Sequence, residues 1–286
     1  MGVVMTVAVV SLSDGAQEPF PDADEDRALQ ALIRHVRGNR FIPEPPAELQ
    51  HVGDGDFRAI GAEFLGHFVR LGGLRPNHAV LDIGCGIGRM ALPLTQYLDP
   101  AAGRYEGVDV VAEGIAWCDR TITPVYPNFR FRHIDVVNSL YNPAGGAPAE
   151  ALRLPFGDGS FDIAVLTSVF THLVAAESAA MIGEIARTLR PGGRCFASLF
   201  LIDDRARAGL EAGAARLAFD LAGDGPDYFV DPTVPAGAVA YDADRFLELA
   251  EAGGLVPARP VAPGNWCGRP GLSFQDLLVL EKRAAR

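Results

Sequence analysis

The fold is decided by residues 80–89, Val-Leu-Asp-Ile-Gly-Cys-Gly-Ile-Gly-Arg. An apolar run enters three alternate glycines, Gly84, Gly86 and Gly88, and helical spacing follows. Glycines let the chain turn tightly and let a ligand approach the exposed backbone N–H groups. Asp109 ends the next apolar run, about 20 residues further on. Because a carboxylate there accepts both hydroxyls of a ribose, the pattern predicts a nucleoside-containing ligand at the strand ends.

The spacing of the glycines separates two classes of ligand. A dinucleotide site prefers G-x-G-x-x-G, because the pyrophosphate rests on the helix N-terminus. This chain has G-x-G-x-G, with Arg89 where the last glycine of that pattern would fall. Asp82 precedes the loop, and its carboxylate would repel a pyrophosphate but attract an ammonium and a sulfonium. These residues favour S-adenosylmethionine over NAD(P), and they argue against a dehydrogenase.

Strands and helices alternate outward from this loop. The predicted strands are residues 79–83, 105–110, 129–135, 161–168, 194–202, 255–261 and 273–280, and the predicted helices are 26–36, 56–71, 89–98, 113–121, 178–189 and 242–252. This alternation predicts an α/β fold with a parallel sheet and helices on both faces. We expect residues 1–52 to form a leader and a helical extension and residues 53–286 to form the main domain. Residues 136–155 and 203–240 do not fit the repeat and are predicted to be insertions over the ligand crevice.

From about residue 53 to residue 282 the chain resembles the class I, Rossmann-like S-adenosylmethionine-dependent methyltransferases. Four segments carry the resemblance: a glycine motif at 81–88, a ribose-binding strand end at 107–109, the approach to the fourth strand at 154–162 and the turn into the fifth at 189–193. The resemblance implies a doubly wound, seven-stranded sheet whose last strand is antiparallel. It also implies that S-adenosyl-L-methionine binds near the point where the strand order reverses.

The resemblance also implies the cofactor contacts, which are Asp82, Ile83, Gly84, Cys85, Gly86, Gly88, Asp109, Val110, Asp135, Val136 and Ser168. The residues before and within the loop would face the methionine part, and Asp109 would hold the ribose. Asp135 would reach the adenine amino group. In many relatives, however, the equivalent acid lies close before the Leu-Pro-Phe segment, whereas residues 136–153 intervene here. Backbone groups are therefore the alternative adenine contact.

Methyl transfer requires an oriented acceptor and, for some acceptors, a base. His172 follows the predicted fourth strand and is the candidate catalytic base, because an unperturbed histidine titrates near neutrality. The alternative is a structural histidine that tethers the following loop. Asp203 and Asp204 would need another carboxylate to bind Mg²⁺, so no metal is predicted.

Four residues are candidate acceptor contacts, namely Phe57, Tyr141, Trp266 and Arg269. Phe57 ends a segment, residues 53–57, that would form a lid over the cofactor. Tyr141 belongs to the first insertion. Trp266 and Arg269 combine an aromatic plate with a cation, which suits a sugar ring or an acidic acceptor. The alternative for the tryptophan is a hydrophobic plug.

Composition narrows the acceptor class. The chain has 286 residues, 25 Lys+Arg against 36 Asp+Glu, and a formal charge of −11, which disfavours nucleic acid as a partner. The four cysteines form no C-x-x-C pair, which is typical of reduced thiols in a cytoplasmic protein. No apolar run is long enough to span a membrane. We expect methylation of a small-molecule or glycan-like acceptor, at oxygen. The alternatives are a protein or RNA methyltransferase, or a relative that binds the cofactor without activity.

Overall fold

The computed structural model describes residues 21–39, 43–50, 55–222 and 225–283. Its strands are β1 (Ala79–Ile83), β2 (Arg104–Asp109), β3 (Phe129–His133), β4 (Phe161–Thr167), β5 (Leu189–Leu199), β6 (Leu201–Ile202), β7 (Asp227–Phe229), β8 (Val239–Asp242), β9 (Leu255–Pro257) and β10 (Asp276–Lys282). Its α-helices are α1 (Ala23–Gly38), α2 (Phe57–Arg70), α3 (Ala91–Leu94), α4 (Ala112–Thr121), α5 (Ala175–Thr188), α6 (Asp204–Glu211) and α7 (Ala243–Ala252).

Seven strands form the main sheet in the order β3-β2-β1-β4-β5-β10-β9. Strands β1 to β5 are mutually parallel, and β10 runs antiparallel to both of its neighbours. The predicted seven-stranded sheet with an antiparallel last strand is confirmed. The strand order reverses at β1, which pairs with β2 on one side and β4 on the other. Such a reversal opens a crevice at the carboxyl ends of the strands.

Both faces of the central strands are buried, which explains why β1 and β4 are almost continuously apolar. Val80 faces one core cluster, which also holds the buried side of α2. Leu81 and Ile83 face the other cluster, together with the buried sides of α5 and α7. β1 therefore alternates between two cores and is fixed in register on both faces.

Two predicted features differ in the structure. The helix expected over residues 89–98 is assigned only over Ala91–Leu94, because Pro93 lacks the N–H that would bond the carbonyl of Arg89. The second insertion contains α6, β7 and a 3-10 turn, and β7 joins β6 and β8 in a separate three-stranded sheet. Within the described residues, no helix is long and apolar enough to cross a bilayer.

Candidate active site

A cavity of about 620 Å³ opens at the carboxyl ends of β1, β2 and β4. Its wall includes the glycine loop after β1, the residues after β2 and β3, the turn after β4 and the first turns of α5. The first insertion contributes several side chains, whereas none of the described residues of 203–240 lines the cavity. Of the residues predicted to bind cofactor or acceptor, or to act in catalysis, the cavity wall brings together Ile83, Gly84, Cys85, Gly86, Asp109, Val110, Val136, Tyr141, Ser168 and His172.

The glycine loop turns its backbone toward the cavity. Gly84 and Gly86 adopt φ of 73° and 53°, a left-handed conformation that disfavours any side chain. A Cβ on Gly84 would lie 2.4 Å from Cγ2 of Val169, whereas one on Gly86 would meet nothing within 4 Å. The space beside Gly86 is therefore open for a ligand to approach the main chain.

Asp109 lies at the end of β2 with its carboxylate fixed by the main chain. Oδ2 accepts a hydrogen bond from the N–H of Gly86 at 2.7 Å, and Oδ1 accepts one from the N–H of Val111 at 2.8 Å. Burial raises the pKa of this carboxyl, and the backbone hydrogen bonds act in the opposite direction. A carboxylate has about four lone-pair positions, so the two oxygens can still accept a pair of hydroxyls. The geometry fits a ribose.

Asp82 is fully buried in β1 and does not line the cavity. The hydroxyl of Tyr105 donates to its Oδ2 at 2.5 Å, while its Oδ1 has no hydrogen-bond partner among the described residues. Burial raises the pKa of Asp82 to about 7. An under-satisfied buried carboxylate next to the glycine loop fits a ligand that brings positive charge, so its expected contribution becomes electrostatic rather than a direct contact.

The chain leaves β4 through a strained residue. Ser168 has φ of 60°, the only described residue other than glycine with a positive φ. Its N–H donates to Oγ of Ser198 at 2.9 Å, and its hydroxyl donates to Oε1 of Gln275 at 3.0 Å. Strain of this kind persists where the surroundings over-determine the backbone, and it is common at functional sites.

His172 lies on a 3-10 turn, Phe170–His172, after β4. Its Nδ1 is 2.7 Å from the carbonyl oxygen of Ala236. A carbonyl can only accept, so Nδ1 must carry the proton and Nε2 is the unprotonated nitrogen of the neutral ring. Nε2 has a long contact of 3.4 Å with the hydroxyl of Tyr141. Burial lowers the pKa of His172, and the bond to Ala236 opposes that shift.

Three further predicted residues lie off the cavity wall. Asp135 is exposed and accepts a bond from Nδ2 of Asn142 at 3.4 Å, although its neighbour Val136 lines the cavity. A Cβ on Gly88 would point into the core against Cys118. Phe57 is buried under the guanidinium of Arg89. Residues 53 and 54 of the expected lid lie outside the described residues.

Trp266 and Arg269 are placed by a buried carboxylate and not by a ligand. Trp266 is fully buried, and its Nε1 donates to Oδ2 of Asp276 at 2.8 Å. Arg269 bonds the other oxygen of Asp276 at 2.5 Å and Asp203 at 2.6 Å. A buried carboxylate requires such donors. This corrects the expectation of an acceptor contact, and the plug is the arrangement found.

The structure adds cavity residues that the sequence did not single out. Glu177, Met181 and Leu173 line the cavity, together with Leu140 and Leu152. Glu177 accepts a bond from the N–H of Val174, the residue before α5, and burial raises its pKa. The helix was expected to begin at residue 178, which left Glu177 outside it. A glutamate suits the first turn of a helix because of the helix dipole, and this was the available signal.

Among the residues that the structure describes, no group of three or more His, Cys, Asp or Glu side chains is placed to hold a metal ion. Asp203 caps α6 and pairs with Arg269, so its carboxylate is already engaged. All four cysteines are free and buried.

Residues 81–197 match the family model described as a methyltransferase domain. The chain is 32% identical over 151 residues to the 27-O-demethylrifamycin SV methyltransferase of Amycolatopsis mediterranei, which covers 52% of this chain and 48% of that protein. It is 32% identical over 158 residues to the O-methyltransferase cnsE of Penicillium expansum. That alignment covers 53% of this chain and 46% of that protein. The chain thus spans about half the length of these curated relatives.

A solved structure shows the same fold over most of the chain. A SAM-dependent methyltransferase from Methanosarcina mazei superposes with a TM-score of 0.51 at 20% identity, covering 74% of this chain and 95% of that one. The strand order, the glycine loop and the match over residues 81–197 lead to one assignment. Residues 81–197 thus carry a methyltransferase domain, and the chain has the Rossmann-like fold of the solved methyltransferase.

Proposed function

We propose that this protein transfers a methyl group from S-adenosylmethionine to a hydroxyl oxygen of a small, largely apolar molecule. The observation that carries the proposal is the arrangement of His172, which lines the cavity, bonds the Ala236 carbonyl through Nδ1 and contacts the Tyr141 hydroxyl through Nε2. The printed names of both curated relatives refer to methylation at oxygen, which supports the choice of atom.

The cavity divides into two regions in this proposal. The cofactor half is lined by Gly84, Gly86, Asp109 and Val110, and the acceptor half is lined by Leu140, Tyr141, His172, Leu173, Glu177 and Met181. When bound, S-adenosylmethionine supplies a sulfonium methyl group as the electrophile. The backbone of the glycine loop and the carboxylate of Asp109 orient the adenosine, and the buried charge of Asp82 favours the positively charged end.

The acceptor hydroxyl becomes acidic as its oxygen forms the new C–O bond, so a nearby base speeds the reaction. His172 takes this proton at Nε2. Its Nδ1–H remains bonded to the Ala236 carbonyl, which fixes the ring and stabilises the imidazolium. Because burial lowers its pKa below the ordinary 6.5, the ring stays neutral and competent as a base into mildly acidic solution.

The acceptor half favours a neutral, apolar molecule over a glycan-like one. Leu173 and Met181 are buried, and Leu140 presents an exposed apolar surface at the wall. The hydrogen-bonding side chains there are Asn138, Tyr141, His172 and Glu177. A mostly apolar wall with a few placed polar groups is typical of small-molecule sites.

The test is His172→Ala, assayed with an acceptor identified by mass spectrometry of molecules that co-purify with the protein. We expect turnover to fall by about 100-fold, the scale of general-base catalysis. The wild-type rate should rise with pH through an inflection below 6.5, and the variant should lose that inflection. The affinity for S-adenosylhomocysteine, measured by calorimetry, should be unchanged.

Two results would contradict the proposal. A full rate and an unaltered pH profile in His172→Ala would show that His172 is not the base. Binding of NAD without binding of S-adenosylhomocysteine would show that S-adenosylmethionine is not the methyl donor. Tight S-adenosylhomocysteine binding with no turnover on any co-purified molecule would instead favour a protein that binds the cofactor without catalysis.

A further inference from the structure

We propose that Tyr241, on β8 outside the cavity, is a positioning residue that holds the turn carrying His172 in its working arrangement. The inference rests on the proposed role of His172 as the base. It concerns the second insertion and the strand that follows it, which do not line the cavity within the described residues.

The hydroxyl of Tyr241 contacts the main chain on both sides of His172. It lies 2.7 Å from the carbonyl oxygen of Phe170 and 2.5 Å from that of Leu173. A phenol has one proton, so it donates to one of these carbonyls at a time while its oxygen accepts from the hydroxyl of Ser178, 2.8 Å away. Tyr241 is 1% exposed, so water does not replace these bonds.

The same part of the chain also fixes the ring of His172. Ala236 lies on the 3-10 turn Pro235–Gly237, immediately before β8, and its carbonyl binds Nδ1. β8 is held by parallel pairing with β6, in which Tyr241 is opposite Leu201. Contacts from β8 and the turn before it therefore fix both the backbone and the ring of His172. β8 pairs with β6, which follows β5 of the main sheet along the chain.

The hydroxyl can be removed without removing the packing of the ring. The rings of Tyr241 and Phe246 are 4.8 Å apart in the second core cluster, so Tyr241→Phe keeps the aromatic contact. Tyr97→Phe is the matched control. Its hydroxyl likewise donates to a main-chain carbonyl, that of Leu74 at 2.9 Å, but Tyr97 packs against the first cluster and does not line the cavity.

The main measurement is ¹⁵N NMR of the His172 imidazole in the full-length protein without acceptor, with the signal assigned by its loss in His172→Gln. The wild type should show the Nδ1-protonated neutral ring. In Tyr241→Phe this tautomer should give way to a mixture, and the pKa of His172 should move up toward 6.5 as the turn loosens. Tyr97→Phe should leave both unchanged. An unaltered tautomer and pKa in folded Tyr241→Phe would overturn the inference.

A second variant covers the case in which Tyr241→Phe does not fold. Ser178→Ala removes one partner of the Tyr241 hydroxyl and keeps both carbonyl contacts, and it should cause a smaller change of the same sign. With an acceptor in hand, Tyr241→Phe should lower kcat about tenfold, as misplacement of a catalytic group does, with the KM for S-adenosylmethionine unchanged. Loss of the tautomer with an unchanged kcat would support the positioning role of Tyr241 and would contradict the role of His172 as the base.

Discussion

The proposed cofactor half and the proposed acceptor half of the cavity are built by different means. The cofactor half consists of backbone groups and one carboxylate at the ends of neighbouring parallel strands, so a short local motif is enough to form it. The acceptor half consists of side chains from an insertion and a turn, and His172 is held by a carbonyl 64 residues away. The comparison indicates that cofactor binding and acceptor selection can be changed separately, and the following variants test that separation.

The largest expected effect is that of Gly86→Val on the cofactor half. The new side chain would occupy the open space beside the loop, and the left-handed backbone would cost about 1–2 kcal/mol. We expect S-adenosylhomocysteine affinity to fall at least about 100-fold in calorimetry, equivalent to about 3 kcal/mol. Gly88→Ala is the control, because its Cβ points into the core. It should lower the melting temperature and leave affinity nearly unchanged, and an equal loss of affinity in both variants would mean that the loop is merely unfolding.

Asp109→Ala should weaken S-adenosylhomocysteine binding at least about tenfold, because hydrogen bonds to a charged group contribute about 1.5–3 kcal/mol each. The N–H groups of Gly86 and Val111 also lose their acceptor, so the melting temperature should fall. Glu106→Ala is a control on the same strand, since that carboxylate pairs with Arg132. Wild-type affinity in Asp109→Ala would place the ribose elsewhere.

The acceptor half should respond to Leu140→Ser without any change in cofactor affinity. Loss of about 40 Å² of apolar contact, at about 25 cal/mol per Å², gives about 1 kcal/mol. We therefore expect about fivefold weaker binding of 1-naphthol, a neutral apolar phenol, to the protein saturated with S-adenosylhomocysteine. Leu272→Ser is the control, because Leu272 is also exposed but lies off the cavity wall. If both variants bind the probe like the wild type, Leu140 does not contact the acceptor.

The smallest effect on binding is expected from Trp266→Phe, because Trp266 does not line the cavity. The variant removes one donor from the buried carboxylate of Asp276, so we expect a stability loss of about 1–3 kcal/mol by thermal denaturation. Binding of S-adenosylhomocysteine and of 1-naphthol should match the wild type. Weaker 1-naphthol binding with unchanged stability would restore the acceptor contact expected from the sequence.

The difference between the halves also explains what the sequence could predict. β1, its glycine loop and Asp109 are specified by neighbouring residues, since the alternating burial of β1 and the spacing of the glycines are local patterns. Trp266 shows the opposite case. The local sequence around Trp266 is the same whether the ring packs in the core or binds a ligand. Its hydrogen bond to Asp276 decides between the two, and that bond forms only after the chain folds back.

His172 lies between these extremes. Its position after β4 and its role as candidate base were accessible from the sequence, because the carboxyl ends of parallel strands gather functional groups. Its tautomer was not, because the carbonyl of Ala236 belongs to an insertion with no repeating pattern. Glu177 was missed for a smaller reason, because the helix was expected to begin at residue 178, three residues after its observed start at Ala175.

The bond from Ser168 to Gln275 joins residues 107 positions apart and makes the wall of the cavity depend on the start of the last strand. Contacts of such sequence separation form late, after the entropy of closing a long loop has been overcome. A chain whose β10 has not docked lacks one of the two bonds that hold Ser168 in its strained conformation. A ligand that requires that conformation binds the completed sheet most tightly. It would therefore stabilise the folded chain by RT ln(1 + [L]/Kd), and proteolysis through the open state would slow by the factor 1 + [L]/Kd.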